Sequence, residues 1–152
     1  MSRHAPFLLA IAALAALGSA GCGGSWRASP ERVLDGNGVG SAGGATIVSA
    51  EELHRSNGSV LRAIMGKVPN MKVSFRDMGR CPSIAIRSFE DHYGNDFPGI
   101  YVDGTHVRDT CVLETLDARD AERVEVYPAG FTTRPGYASN NNGLILVFLR
   151  RN

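Results

Sequence analysis

The sequence closes on 136-GYASNNNGLILVFLRRN-152, in which an asparagine-rich turn opens into an unbroken apolar run, Leu144 to Leu149. Six residues cannot cross a bilayer as a helix, which takes about 20. Their branched and aromatic side chains suit a buried strand. The C-terminal run is therefore expected to complete a sheet, and the segments before it supply candidate partners.

Working backwards, "RVEVY" (123–127) reads as another strand, preceded by "LDARDAE" (116–122), a short polar helical turn. In "GIYVDGTHV" (99–107) the dipeptide Asp103-Gly104 stands between apolar pairs, and its tolerance of positive φ predicts a tight hairpin. "SIAIRSF" (83–89) and "MKVSF" (71–75) show rough strand alternation. At the front of this region, "TIVSAEELHRS" (46–56) gives a short strand over Thr46 to Val48. Ser49 and Glu52 have the spacing of a capping box there, so a helix starts at Ala50. Ser59 caps a second helix carrying Val60, Leu61 and Ile64 on one face, and Gly66 ends it. One strand, two short helices and then several strands predict an α+β domain with a small mixed sheet.

The N-terminal third reads differently. Residues 1–21 carry Arg3, an apolar stretch from Phe7 to Leu17 and small residues before Cys22, the outline of an export signal of lipoprotein type. Ser19 stands where an aliphatic residue is favoured, and ordinary secretory cleavage near Ala20 is the alternative. Residues 22–45 are dense in glycine and serine and are expected to be a flexible tether, with the folded domain over 46–152. Loss of the leader removes Arg3 and leaves 15 basic against 15 acidic residues. That balance excludes non-specific nucleic-acid binding and leaves acyl chains, not a polybasic patch, to hold any membrane contact.

The three cysteines are Cys22, Cys81 and Cys111. Acylation of Cys22 leaves an even pair, and in an oxidising compartment Cys81 and Cys111 are expected to bridge. Closing a loop of about 30 residues stabilises a fold by roughly 3–4 kcal/mol on the chain-entropy model. A reactive thiol at either position is the competing reading.

Taken in order, "AEELHRS…VLRAIMGKVPNMKV", "PSIAIRSF", "PGIYVDGTHV", "LETLDARDAERVEVY" and "YASNNNGLILVFLRR" resemble the plug domain of TonB-dependent outer-membrane receptors, over Thr46 to Asn152. Helical pair, Val68-Pro69 turn, Ile84-to-Arg87 strand, Asp103-Gly104 hairpin, Arg123-to-Val126 strand and glycine-led final strand follow the family's order. Ser88 replaces the glycine that usually follows the arginine, and the loop 127–139 is longer than the family's. In such receptors a barrel of about 22 strands follows the plug; here the sequence stops at the strand that would enter it. Together with the lipoprotein-type leader, the resemblance implies a lipid-anchored component facing the periplasm at the outer membrane, meeting a separate barrel or a TonB-type protein. The alternative is a tethered small-ligand or metal binder using loops 90–98 and 128–142.

Catalytic readings find little support, and neither a catalytic residue nor a cofactor is expected. "EDHYGND" (90–96) gathers Glu90, Asp91, His92 and Asp96 but lacks the spacing of a calcium loop, so no metal is expected there. Asp103 and His106 flank a turn and read as turn former and exposed strand residue. His54 reads as lying on an exposed helix face, Asn140 to Asn142 as a turn, and Arg119, Asp120, Glu122, Arg123 and Glu125 as a solvated mixed-charge face.

Overall fold

A computed structural model describes residues 33–34, 38–42, 44–75, 80–86, 97–130, 134–138 and 140–151. The leader, Cys22, the tether up to residue 32 and the acidic loop 90–96 lie outside the described residues. The strands are β1 (Val33–Leu34), β2 (Val39–Ala42), β3 (Ala45–Ser49), β4 (Met71–Ser74), β5 (Ser83–Ile86), β6 (Gly99–Val102), β7 (Thr105–Val107), β8 (Ala121–Tyr127) and β9 (Leu144–Leu149). Three short helices, α1 (Ala50–Arg55), α2 (Val60–Ile64) and α3 (Val112–Thr115), and a 3₁₀ turn at Ala118–Asp120 complete the order. The fold is α+β, with one helix more than the sequence pattern showed.

Seven strands form one mixed sheet in the order β1-β2-β3-β8-β9-β6-β7, while β4 and β5 make a separate antiparallel ribbon. The apolar C-terminal run is β9, an internal strand antiparallel to β8 and parallel to β6. Having neighbours on both edges and cover on both faces, it buries Leu144 to Phe148, which is why it needs no polar alternation.

Alternate residues sort the two faces. Val48, Val124, Val126, Ile145, Val147 and Ile100 turn toward the helices, where they meet Leu53, Leu61, Ile64 and Leu113 in the main core. Ala45, Tyr127, Leu144, Leu146 and Phe148 face the other way, with Tyr101 and Tyr137 packed against them. A β-bulge between Ala121 and Arg123 breaks the alternation. Ala121 joins the helix-side core while Arg123, two residues on, lies over the Phe148 ring 3.8 Å from its centroid.

Two expectations are corrected. The stretch 22–45 is not tether throughout: β1 and β2 lie inside it, and β2 pairs antiparallel with β3 from Val39↔Val48 to Ala42↔Ala45. Gly38 (φ +76°) and Gly44 (φ +82°) sit at the chain reversals, so those glycines serve turns that other residues disfavour. Ser49 is the N-cap of α1 but its hydroxyl makes no capping bond. Glu52, its expected partner, instead pairs with Lys67 at 2.6 Å and with Arg55, contacts that hold its carboxyl below the usual range, the Lys67 hydrogen bond foremost. Ser59 does cap α2, accepting from the Arg62 amide at 3.4 Å.

Candidate functional site

Among the described residues, strand β8 carries the most unusual chemistry. Successive outward positions are Arg123, Glu125 and Tyr127, and the first two were expected in solvent; instead Arg123 is 4% exposed and Glu125 0%. The Glu125 carboxylate accepts from Arg123 Nε at 2.8 Å on one oxygen, and from Tyr127 OH at 3.0 Å and Arg134 Nε at 3.1 Å on the other. Burial, and then the neighbouring Glu125 charge, push the Tyr127 hydroxyl well above its usual range, so it stays protonated and donates. A buried carboxylate is tolerated only when paired and hydrogen-bonded, and this one meets two guanidiniums and a phenol. The remaining members of that charged run, Arg119, Asp120 and Glu122, are exposed. A strand buried on both faces hides its alternation, and the hint in the sequence is the i, i+2, i+4 spacing of Arg123, Glu125 and Tyr127.

Beside this cluster lies an aromatic group. Tyr101 packs edge-on against Tyr137 and, across the β6–β7 hairpin, against His106, both at 4.9 Å between centroids. His106 thus serves cross-strand packing. Asp103 (φ +47°) and Gly104 (φ +83°) form the hairpin turn, both in the left-handed region that a type I′ turn requires. The Asp103 carboxylate also accepts from the Leu149 amide at 3.0 Å, tying the hairpin tip to the end of β9. At the other end of β9, Asn140 accepts from the Asn142 amide at 2.8 Å, and Gly143 (φ +95°) leaves no room for a side chain: a Cβ would meet Tyr127 O at 2.6 Å.

Cys81 and Cys111 are bonded to each other, with Cα atoms 4.7 Å apart. Nearby, Thr110 Oγ1 donates to Pro82 O at 2.6 Å. Sulfur and carboxylate atoms of Cys81, Cys111 and Asp109 lie within 4.8 Å of one another, but both sulfurs are occupied in the disulfide and a single exposed carboxylate remains. His54 is half-buried and touches Arg150 of the C-terminal segment. Among the described residues no helix is long and apolar enough to cross a membrane.

The order of strands and helices can be set against known proteins. The family model described as TonB-dependent Receptor Plug Domain matches residues 39–142. This chain belongs to the TonB-dependent receptor plug family. The match starts on β2 and so includes part of the glycine-rich stretch. Solved structures agree in fold: the RagAB peptide importer in its open-open state is 23% identical with a TM-score of 0.53, covering 79% of this chain and 14% of that one. The ferric enterobactin receptor PfeA in complex with BCV-L6 is 20% identical with a TM-score of 0.53, covering 73% of this chain and 18% of that one. The plug chain thus corresponds to under a fifth of either receptor's length. No curated protein matches it.

Proposed function

We propose that this plug domain is a non-enzymatic interaction component of the outer membrane, held through acyl chains on Cys22, facing the periplasm, and touching an outer-membrane β-barrel or a TonB-type protein of an uptake system. The observation that carries the reading is the plug-family match over residues 39–142 on a fold shared with two receptors. The side chains that could suggest chemistry support it too. Asp103 binds the Leu149 amide, His106 packs on Tyr101, and the cysteines bond each other; each has a structural use. Large apolar side chains at Met65, Phe75 and Phe97 stand 39%, 59% and 49% exposed, the kind of surface that protein contacts cover.

The test is affinity capture of the tagged protein from separated, gently solubilised membranes, followed by mass spectrometry. The proposal predicts sedimentation with the outer membrane, loss of that sedimentation in Cys22→Ser, and recovery of a β-barrel or TonB-type protein. Sedimentation with the cytoplasmic fraction, or capture of neither partner, contradicts it.

A further inference from the structure

The β4–β5 ribbon lies apart from the main sheet. Among the described residues its strands pair only with each other, from Met71↔Ile86 to Ser74↔Ser83. Ile84 and Ile86 are 1% and 4% exposed and enter the helix-side core, with Met71 and Val73 packed against it. Lys72, Ser74 and Ala85 on the opposite face are exposed. Among the described residues, β4 is held at its start by the Met71 N–H to Val68 O bond at 3.4 Å, and two further links fasten the β5 end to the body side by side: the Cys81–Cys111 disulfide and the Thr110–Pro82 hydrogen bond. On the body side Cys111 is the N-cap of α3, whose Leu113 is buried in the helix-side core. Both cysteines are partly exposed, so a reductant can reach them.

We infer that the Cys81–Cys111 disulfide is a redox latch: a dithiol opens it without unfolding the seven-stranded sheet, freeing the β4–β5 ribbon to lift from the core, and Asp109 slows the opening. With the bond intact, residue 81 stays within a Cα distance of 4.7 Å of residue 111, which suppresses separate opening of the ribbon. Reduction removes that restraint and, among the described residues, leaves the Thr110–Pro82 bond, the Met71–Val68 backbone bond and apolar packing, so the ribbon becomes a low-stability unit on a stable sheet.

In the chemical step, one thiolate of the dithiol attacks one cysteine sulfur, and the S–S bond breaks. The other sulfur leaves as a thiolate and takes a proton, and the reductant's second thiol then resolves the mixed disulfide. The dithiol ends oxidised to a disulfide, and Cys81 and Cys111 gain two electrons and two protons between them. The Asp109 carboxylate, within 4.8 Å of both sulfurs, repels both the attacking and the departing thiolate, and a poorer leaving thiolate leaves more slowly.

Amide hydrogen exchange of the full-length protein, with and without dithiothreitol, tests this, thiol alkylation verifying reduction. The expected result is exchange at least about ten-fold faster at 71–74 and 83–86, with β8 and β9 changed less than about two-fold. Faster exchange throughout, unchanged ribbon protection, or a bond that resists the dithiol in the native state overturns the inference. The Cys81→Ser/Cys111→Ser variant should show the same pattern without reductant; failure of that variant to fold counts equally against it. Asp109→Asn should be reduced about two- to ten-fold faster at low ionic strength, the gap narrowing in about 1 M salt, and equal rates would remove Asp109 from the device.

Discussion

Replacing Glu125 with glutamine changes no volume and one charge, and the cluster around it makes the consequence calculable. In the native domain one carboxylate oxygen takes Arg123 Nε and the other takes both Tyr127 OH and Arg134 Nε. A glutamine offers one accepting oxygen and one donating amide. Whichever way it turns, its NH₂ faces a guanidinium N–H, and the two buried cations lose the anion they share. Hydrogen bonds to charged groups contribute about 1.5–3 kcal/mol each, and breaking a buried ion pair by neutralising one partner costs about 3–5 kcal/mol. Against a total of about 5–15 kcal/mol for a domain, that is a large loss. In urea, with a slope of about 1–3 kcal/mol per molar, the midpoint should fall by roughly 1 M or more. Tyr127→Phe, which removes one donor to the charged carboxylate, should cost about 1.5–3 kcal/mol, and the double variant should show coupling of at least about 0.5 kcal/mol. A Glu125→Gln protein within about 1 kcal/mol of the parent would refute the assignment of this cluster as a paired, desolvated unit.

Other positions give independent checks. Gly143→Ala places a Cβ 2.6 Å from Tyr127 O at φ +95°, so it should lower the melting temperature by several degrees, roughly 4–8 °C per kcal/mol lost in a domain of this size; an unchanged transition would contradict the close approach. Asp103→Gly keeps the hairpin but loses the carboxylate bond to Leu149 and should cost about 1 kcal/mol, whereas Asp103→Asn, able to keep both, should sit near the parent. Asp117 accepts from the Arg119 guanidinium and amide, which hold its carboxyl down from 3.8 to about 2. A depressed carboxyl stabilises above its unfolded pKa and loses that contribution as pH falls through the folded one, so the stability gap between parent and Asp117→Asn should be constant above about pH 5 and close progressively toward about pH 1. A gap that widened on acidification would reverse the sign of the argument.

What the sequence carried most clearly were its local signals. An unbroken apolar run, a dipeptide that tolerates positive φ, and a serine before apolar residues at helical spacing marked β9, the β6–β7 turn and the start of α2, because each is decided within a few residues. Less visible was whatever depends on distant partners. The residues Val39 to Ala42 look like linker until β3 offers them hydrogen bonds. Glu125 looks like surface because one of its partners, Arg134, arrives from nine residues beyond it, and Arg123 because the Phe148 ring it covers comes from β9. Ser49 and Glu52 had the spacing of a capping box, yet Lys67 from beyond α2 took the glutamate. Local chemistry names such elements; tertiary placement decides which face they show.

The most direct test of the central claim is site-resolved photo-crosslinking in living cells, with a photoreactive residue placed in turn at the exposed positions Met65, Phe75, Phe97 and Arg151. An outer-membrane plug-type interaction component should give discrete adducts, dependent on Cys22, whose partner peptides map to an outer-membrane β-barrel or a TonB-type protein. Adducts only with soluble periplasmic proteins, or the same yield in Cys22→Ser, would contradict it.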